Sequence, residues 1–124
     1  MAEPNSFYTG WLLDAGDRAE LLRRVPPRYP TVVAHHVTLK FGDRTAKPPQ
    51  ETVAEVVGWA DDGAGVQALV VAIDGSPRRP DGGTFHITWS LGPGREAKES
   101  NEVIAQRGWT VLPTTTTVRL HPKA

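Results

Sequence analysis

Cysteine is absent from the 124 residues, and with it go a disulfide framework, a thiolate nucleophile, an iron-sulfur cluster and any zinc site built on thiolates. A surplus of charge is absent too. Fourteen Lys plus Arg stand against fourteen Asp plus Glu, so the basic excess that grips long duplex nucleic acid by its phosphates is missing, although a small anionic ligand remains compatible. No apolar run reaches the roughly 18 residues of a membrane-crossing helix. The opening MAEPNSFYTG has neither the basic start nor the apolar stretch of a signal peptide. The size is that of one globular domain over residues 1–124, expected to be a cytoplasmic monomer.

Gly and Pro, twelve and eleven in number, cluster between apolar stretches and read as turns. Phe7 to Asp14 (FYTGWLLD) predicts a buried strand, followed by a two-turn helix capped by Asp14 or Asp17, carrying Ala19, Leu21, Leu22 and Val25, and stopped by Pro26-Pro27. Thr31 to Phe41 (TVVAHHVTLKF) predicts one β-branched strand, and GDRTAKPPQ a polar loop. From Thr52 to Asp74 the pattern reads as two strands joined around Asp61 to Gly65, with a short helix at Gln50 to Val57 as the competing reading. GSPRRPDGG is turn-rich, its DGG (Asp81 to Gly83) a plain turn signal. Thr84 to Leu91 alternates with period two, Arg95 to Arg107 predicts a helix ended by Gly108, and TTTTVRL a last strand. The order β-α-β-β-β-β-α-β is that of an α+β sheet domain.

Two of the four histidines lie in the same tetrad, His-apolar-Thr-apolar: His36-Val37-Thr38-Leu39 and His86-Ile87-Thr88-Trp89. Side chains at i and i+2 of a strand share a face, so each tetrad presents an imidazole beside a hydroxyl while its apolar residues anchor the core. Two such strands side by side would offer two imidazoles, one to take a proton and one to give it, and two hydroxyls to donate to phosphate oxygens. That is the equipment of phosphodiester hydrolysis, near neutral pH and with neither metal nor organic cofactor required. The bland alternative is that the histidines are incidental on two Thr-rich strands.

On these tetrads the sequence resembles the 2H phosphoesterase superfamily, whose members carry two His-x-Thr/Ser motifs among apolar residues. HVTLKF matches its His-x-Thr-Leu-x-Phe form, and the brevity is most similar to the small Swiss-army-knife, RNA-repair-like branch. The resemblance implies a pseudo-symmetric antiparallel sheet with two helices and a central groove, His36 and His86 as the catalytic pair, and Thr38 and Thr88 as phosphate contacts. The implied activity is a metal-independent phosphodiesterase or cyclic phosphodiesterase acting on a nucleotide or RNA terminus, such as a cyclic nucleotide phosphate. The alternative from another class is a module that binds nucleotide or RNA ends without turnover. Trp89 and the short span before the second tetrad depart from the larger members and bear on substrate choice.

Further residues carry two readings each. Lys40 and Ser90 sit two positions beyond Thr38 and Thr88 and are expected on the same faces, lining the groove, unless Lys40 is merely solvated. Tyr8 and Trp11 either stack a base or pack in the core. Arg78, Arg79, Arg95 and Lys98 form a positive rim or an ordinary surface. His35 is expected on the strand face opposite His36, His121 in a solvated tail, and no third ligand accompanies them with zinc-site spacing.

Overall fold

The computed structural model describes residues 8–41, 47 and 49–123; Phe7 and most of the predicted polar loop lie outside these. The elements are β1 (Tyr8–Leu13), α1 (Ala15–Arg24), β2 (Thr31–Val32), β3 (His36–Phe41), β4 (Thr52–Asp61), β5 (Val66–Ala72), β6 (His86–Leu91), α2 (Glu99–Arg107) and β7 (Thr110–Lys123). The strands form one sheet of order β2-β6-β5-β4-β7-β1-β3, antiparallel at every pairing. The fold is α+β, with two helices.

Strand β5, VQALVVA, is apolar at nearly every position because both of its faces are covered. Leu69 and Val71 join a cluster with Leu21 of α1 and with Trp11, Val37, Ile87 and Trp89. Ala68 and Val70 join a second cluster with Val103 and Ile104 of α2. Alternate residues of a strand point to opposite faces, so the two helices cover opposite sides of the sheet.

Asp14 caps α1, its carboxylate accepting the Asp17 N–H at 3.0 Å. At the other end the Val25 carbonyl, past the last helical turn and with the Tyr29 N–H given to Ser90, accepts the indole N–H of the fully buried Trp89 at 2.8 Å. The β4–β5 hairpin replaces the competing helix over residues 50–57. Its turn is closed by Asp62, whose side chain accepts the N–H groups of Ala64 and Val66. Helix α2 begins only at Glu99, after a turn at Ala97 and Lys98, and Arg95 ahead of that turn pairs with Asp62 and Glu99. It ends at Gly108, φ 73°, where glycine was expected to stop it. Strand β7 is twice the predicted length. It tolerates Pro113 because the β4 pairing skips from Thr116 to Val111, leaving the proline no ladder partner to disappoint.

The single strand predicted over Thr31 to Phe41 is two strands. Its first part pairs with β6 and its second with β1, at opposite ends of the strand order. The break falls at Ala34, whose φ of 45° is left-handed. No helix among the described residues is long and apolar enough to cross a membrane.

Candidate active site

The break at Ala34 creates the site. Thr31 and Val32 pair with Leu91 and Ser90, and the register continues as Val33 and Ala34 donate to the carbonyls of Trp89 and Thr88 at 3.0 and 2.9 Å. Carried two residues further, it brings His36 level with His86. There the chain leaves β6 for β1, the two strands part, and a cleft of about 530 Å³ opens between them. His36, Thr38, His86 and Thr88 all line it, as do Tyr8 and Phe41 on one side and Glu96, Ala97, Lys98 and Asn101 on the other.

The two tetrads share a further feature. In the β1–β3 pairing Thr9 faces Lys40 and Gly10 faces Thr38, so Leu39 is an extra residue. In the β5–β6 pairing Gln67 faces Ser90 and Ala68 faces Thr88, so Trp89 is an extra residue. Both strands therefore bulge at the fourth position of the tetrad, and a bulge reverses the facing of the residues beyond it. This corrects two expectations at once. Lys40 does not line the cleft but a separate hollow with Thr9, Leu39 and Asp81, and Phe41 takes its place. Ser90 is fully buried, donating to Gln67 Oε1 at 2.6 Å and accepting the Tyr29 N–H.

Of the two readings of Trp11, base stacking in the groove and core packing, the structure bears out the second. It is 5% exposed and packs edge-on against Phe85 in the core, and its indole N–H donates to the Gln50 carbonyl. Tyr8 does reach the cleft, its ring stacked on His36 with centroids 4.2 Å apart and Lys123 Nζ 4.5 Å from its centroid. Gly10, directly opposite Thr38, has no side chain to fill the space between them. A Cβ there would run into the Val37 carbonyl.

Both imidazoles are held neutral. His86 donates Nδ1–H to the Thr84 carbonyl at 2.8 Å, which leaves Nε2 bare. Burial lowers its pKa, the Thr84 contact works against this, and the Arg79 charge adds to the lowering. His36 is lowered to about 4, first by burial, then by His35, His86 and Lys123. His35 is not on the opposite face: its Nδ1 lies 3.1 Å from His36 Nδ1. The left-handed Ala34 puts His35 outside the pleat, where alternation does not apply.

The two hydroxyls differ. Thr88 Oγ1 lies 3.2 Å from the Ala97 carbonyl and 2.9 Å from Ser100 Oγ, so α2 and the turn before it compete for its proton. Thr38 has no hydrogen-bond partner among the described residues and faces the cleft. The expected positive rim is mostly absent from this place. Arg78 is exposed on its loop, Arg95 is engaged at another hollow, and Arg79 is buried beside Asp81, which leaves Lys98 in the cleft. His121, expected in a loose tail, is part of β7 and bridges Asp14 and Glu51 at 2.7 and 3.0 Å. Among the described residues no group of three His, Cys, Asp or Glu side chains is placed to hold a metal ion.

Phe41 and Asn101 escape sequence reasoning as cleft residues because neither belongs to the His-Thr pairs: the bulge brings in the first and the docking of α2 the second. Comparison of the chain with protein-family models, with curated proteins and with solved structures finds no match.

Proposed function

We propose that the chain is a phosphodiesterase or cyclic phosphodiesterase of the 2H kind, acting on a nucleotide or RNA terminus without a metal. The observation that carries this reading is the convergence of His36 and His86, with both tetrad threonines, on one cleft from two strands that bulge at the same position. For a 2′,3′-cyclic phosphate, water attacks phosphorus, one imidazole takes the water proton, and the other gives a proton to the departing ribose oxygen. A phosphomonoester and a free hydroxyl result. His86, with Nε2 bare, is ready to accept; His36 is then the donor, and the anionic phosphate raises its proton affinity on binding. Thr38 Oγ1 and Lys98 face the charge that gathers on the non-bridging oxygens.

Turnover of 2′,3′-cyclic phosphates and 2′-5′ dinucleotides, followed by product analysis in chelator, tests it. Replacing either His36 or His86 by Ala should cost about 10² to 10⁴ in rate with the fold retained. Unchanged turnover in both variants would overturn the mechanism.

The engagement of the Thr88 hydroxyl by the Ala97 carbonyl and Ser100 favours a second reading, a module that binds nucleotide ends without turnover. Thermal stabilisation by these compounds with no product would support it. Product formation ends it.

A further inference from the structure

Beyond His86 the cleft continues into a second cavity of about 480 Å³ that shares His86, Phe41 and Asn101 with the first. Among the described residues one charged side chain lines it, Arg79, which is 5% exposed. The DGG turn is built around this guanidinium. Asp81 accepts Arg79 Nε–H at 2.8 Å and the Gly83 N–H at 2.8 Å. The backbone of Arg79 and Gly83 is bonded in return, and the guanidinium lies against Gly83 so closely that a Cβ there would fall 3.0 Å from its central carbon. Nη2 donates to Asn101 Oδ1 at 3.1 Å. Nη1 is buried and has no hydrogen-bond partner among the described residues.

A buried cationic donor left without a hydrogen bond is costly to keep, and an acceptor that arrives from outside would remove that cost. The acceptor that fits is anionic. Asp81, the carboxylate paired with Arg79, is not among the residues lining the cavity, and guanidinium groups match phosphate oxygens in charge and geometry. We propose that this cavity binds a second phosphate of the substrate, so that the protein prefers nucleotides carrying a phosphate besides the one attacked at His36 and His86. This rests on the phosphodiesterase reading for its substrate class, but the binding site itself does not.

Ala105 lines the second cavity only, from an exposed position of α2, so Ala105→Trp narrows it without touching the core. Arg79→Gln removes the charge directly. A nucleoside 2′,3′-cyclic phosphate is compared with the same compound bearing a 5′-phosphate. In the unaltered protein the 5′-phosphate should raise kcat/KM by about tenfold or more, and in both variants by less than about twofold, while Ala105→Trp acts normally on the compound without it. Calorimetry with inorganic phosphate reads the site independently, and a phosphate site lost in both variants is expected. If nothing is turned over but that site is present and lost as described, the proposal stands and the catalytic reading falls. Equal rates with and without the 5′-phosphate in an active protein, or phosphate binding that neither variant changes, would overturn it.

Discussion

The Nδ1 atoms of His35 and His36 lie 3.1 Å apart, close enough that one must carry a proton and the other a lone pair. The choice sets the far side of the His36 ring. When His35 donates, the His36 proton sits on Nε2; when His36 donates, Nε2 is bare. His35 is exposed and His36 half-buried, so the solvent side of the pair governs the tautomer of the inner side. His35→Ala should release His36 from this constraint and from a neighbouring charge that lowers its pKa. Nitrogen-15 spectra of the imidazoles should then show a changed His36 tautomer and a titration displaced upward. A His36 signal that titrates as before would mean the contact does not matter.

The two threonines should not behave alike. Thr38→Val removes a hydroxyl that faces the cleft unpartnered, whereas Thr88→Val removes one held between the Ala97 carbonyl and Ser100. Stability should fall by about 1 kcal/mol or more for Thr88→Val and little for Thr38→Val, because only the former leaves buried partners unmatched. Turnover should show the reverse order. Denaturant titration and steady-state rates on the same pair of variants check both halves, and equal effects would return the site to the symmetric arrangement that the tetrads suggest.

The alternation of FHITWSL and the tetrad itself make β6 and the histidine pair legible, since period-two patterning is a local property. The illegible part lies in the partner strands. Nothing in HVTLKF or HITWSL marks Leu39 or Trp89 as an extra residue, because a bulge is decided by which residues of β1 and β5 stand opposite. Simple alternation therefore puts Lys40 and Ser90 on the wrong face and omits Phe41. Ala34 carries no propensity for a left-handed conformation, so the split of β2 from β3, and with it the turning of His35 toward His36, cannot be read from composition. The tetrad likewise offers Thr88 to a phosphate, and only the docking of α2 reveals the competing claim on its hydroxyl.

Acid should destabilise the fold through His36. Its folded pKa of about 4 lies below the ordinary 6.5, so the unfolded chain takes up the proton first as pH falls. The contribution is complete above 6.5 and is lost progressively toward 4. Between pH 7.5 and 5 this amounts to about 2 kcal/mol for the single group. His121 acts with the opposite sign, since its hydrogen bonds to Asp14 and Glu51 raise its pKa and its contribution is lost as pH rises. Comparing the native protein with His36→Gln cancels His121 and the other groups. The variant should lose less stability over that interval in urea titrations, and parallel losses would show that His36 titrates normally.

The rate profile offers a separate test of the two-imidazole scheme. With both His36 and His86 lowered below 6.5, the free protein at neutral pH holds neither proton, and the productive form with one proton across the pair is populated only on the acid side. kcat/KM, which reports the free protein, should therefore be bell-shaped with its maximum below pH 6.5, the limbs belonging to the pair and not to either residue. kcat reports the bound state, in which the phosphate charge raises both imidazoles, so its maximum should stand at higher pH than that of kcat/KM. Tyr8→Ala should bring the two maxima closer together, because removing the ring stacked on His36 lets water in and relieves the burial that is the largest cause of its low pKa. A kcat/KM that climbs steadily into alkaline solution would be the signature of a hydroxide nucleophile and would exclude proton sharing between these two side chains.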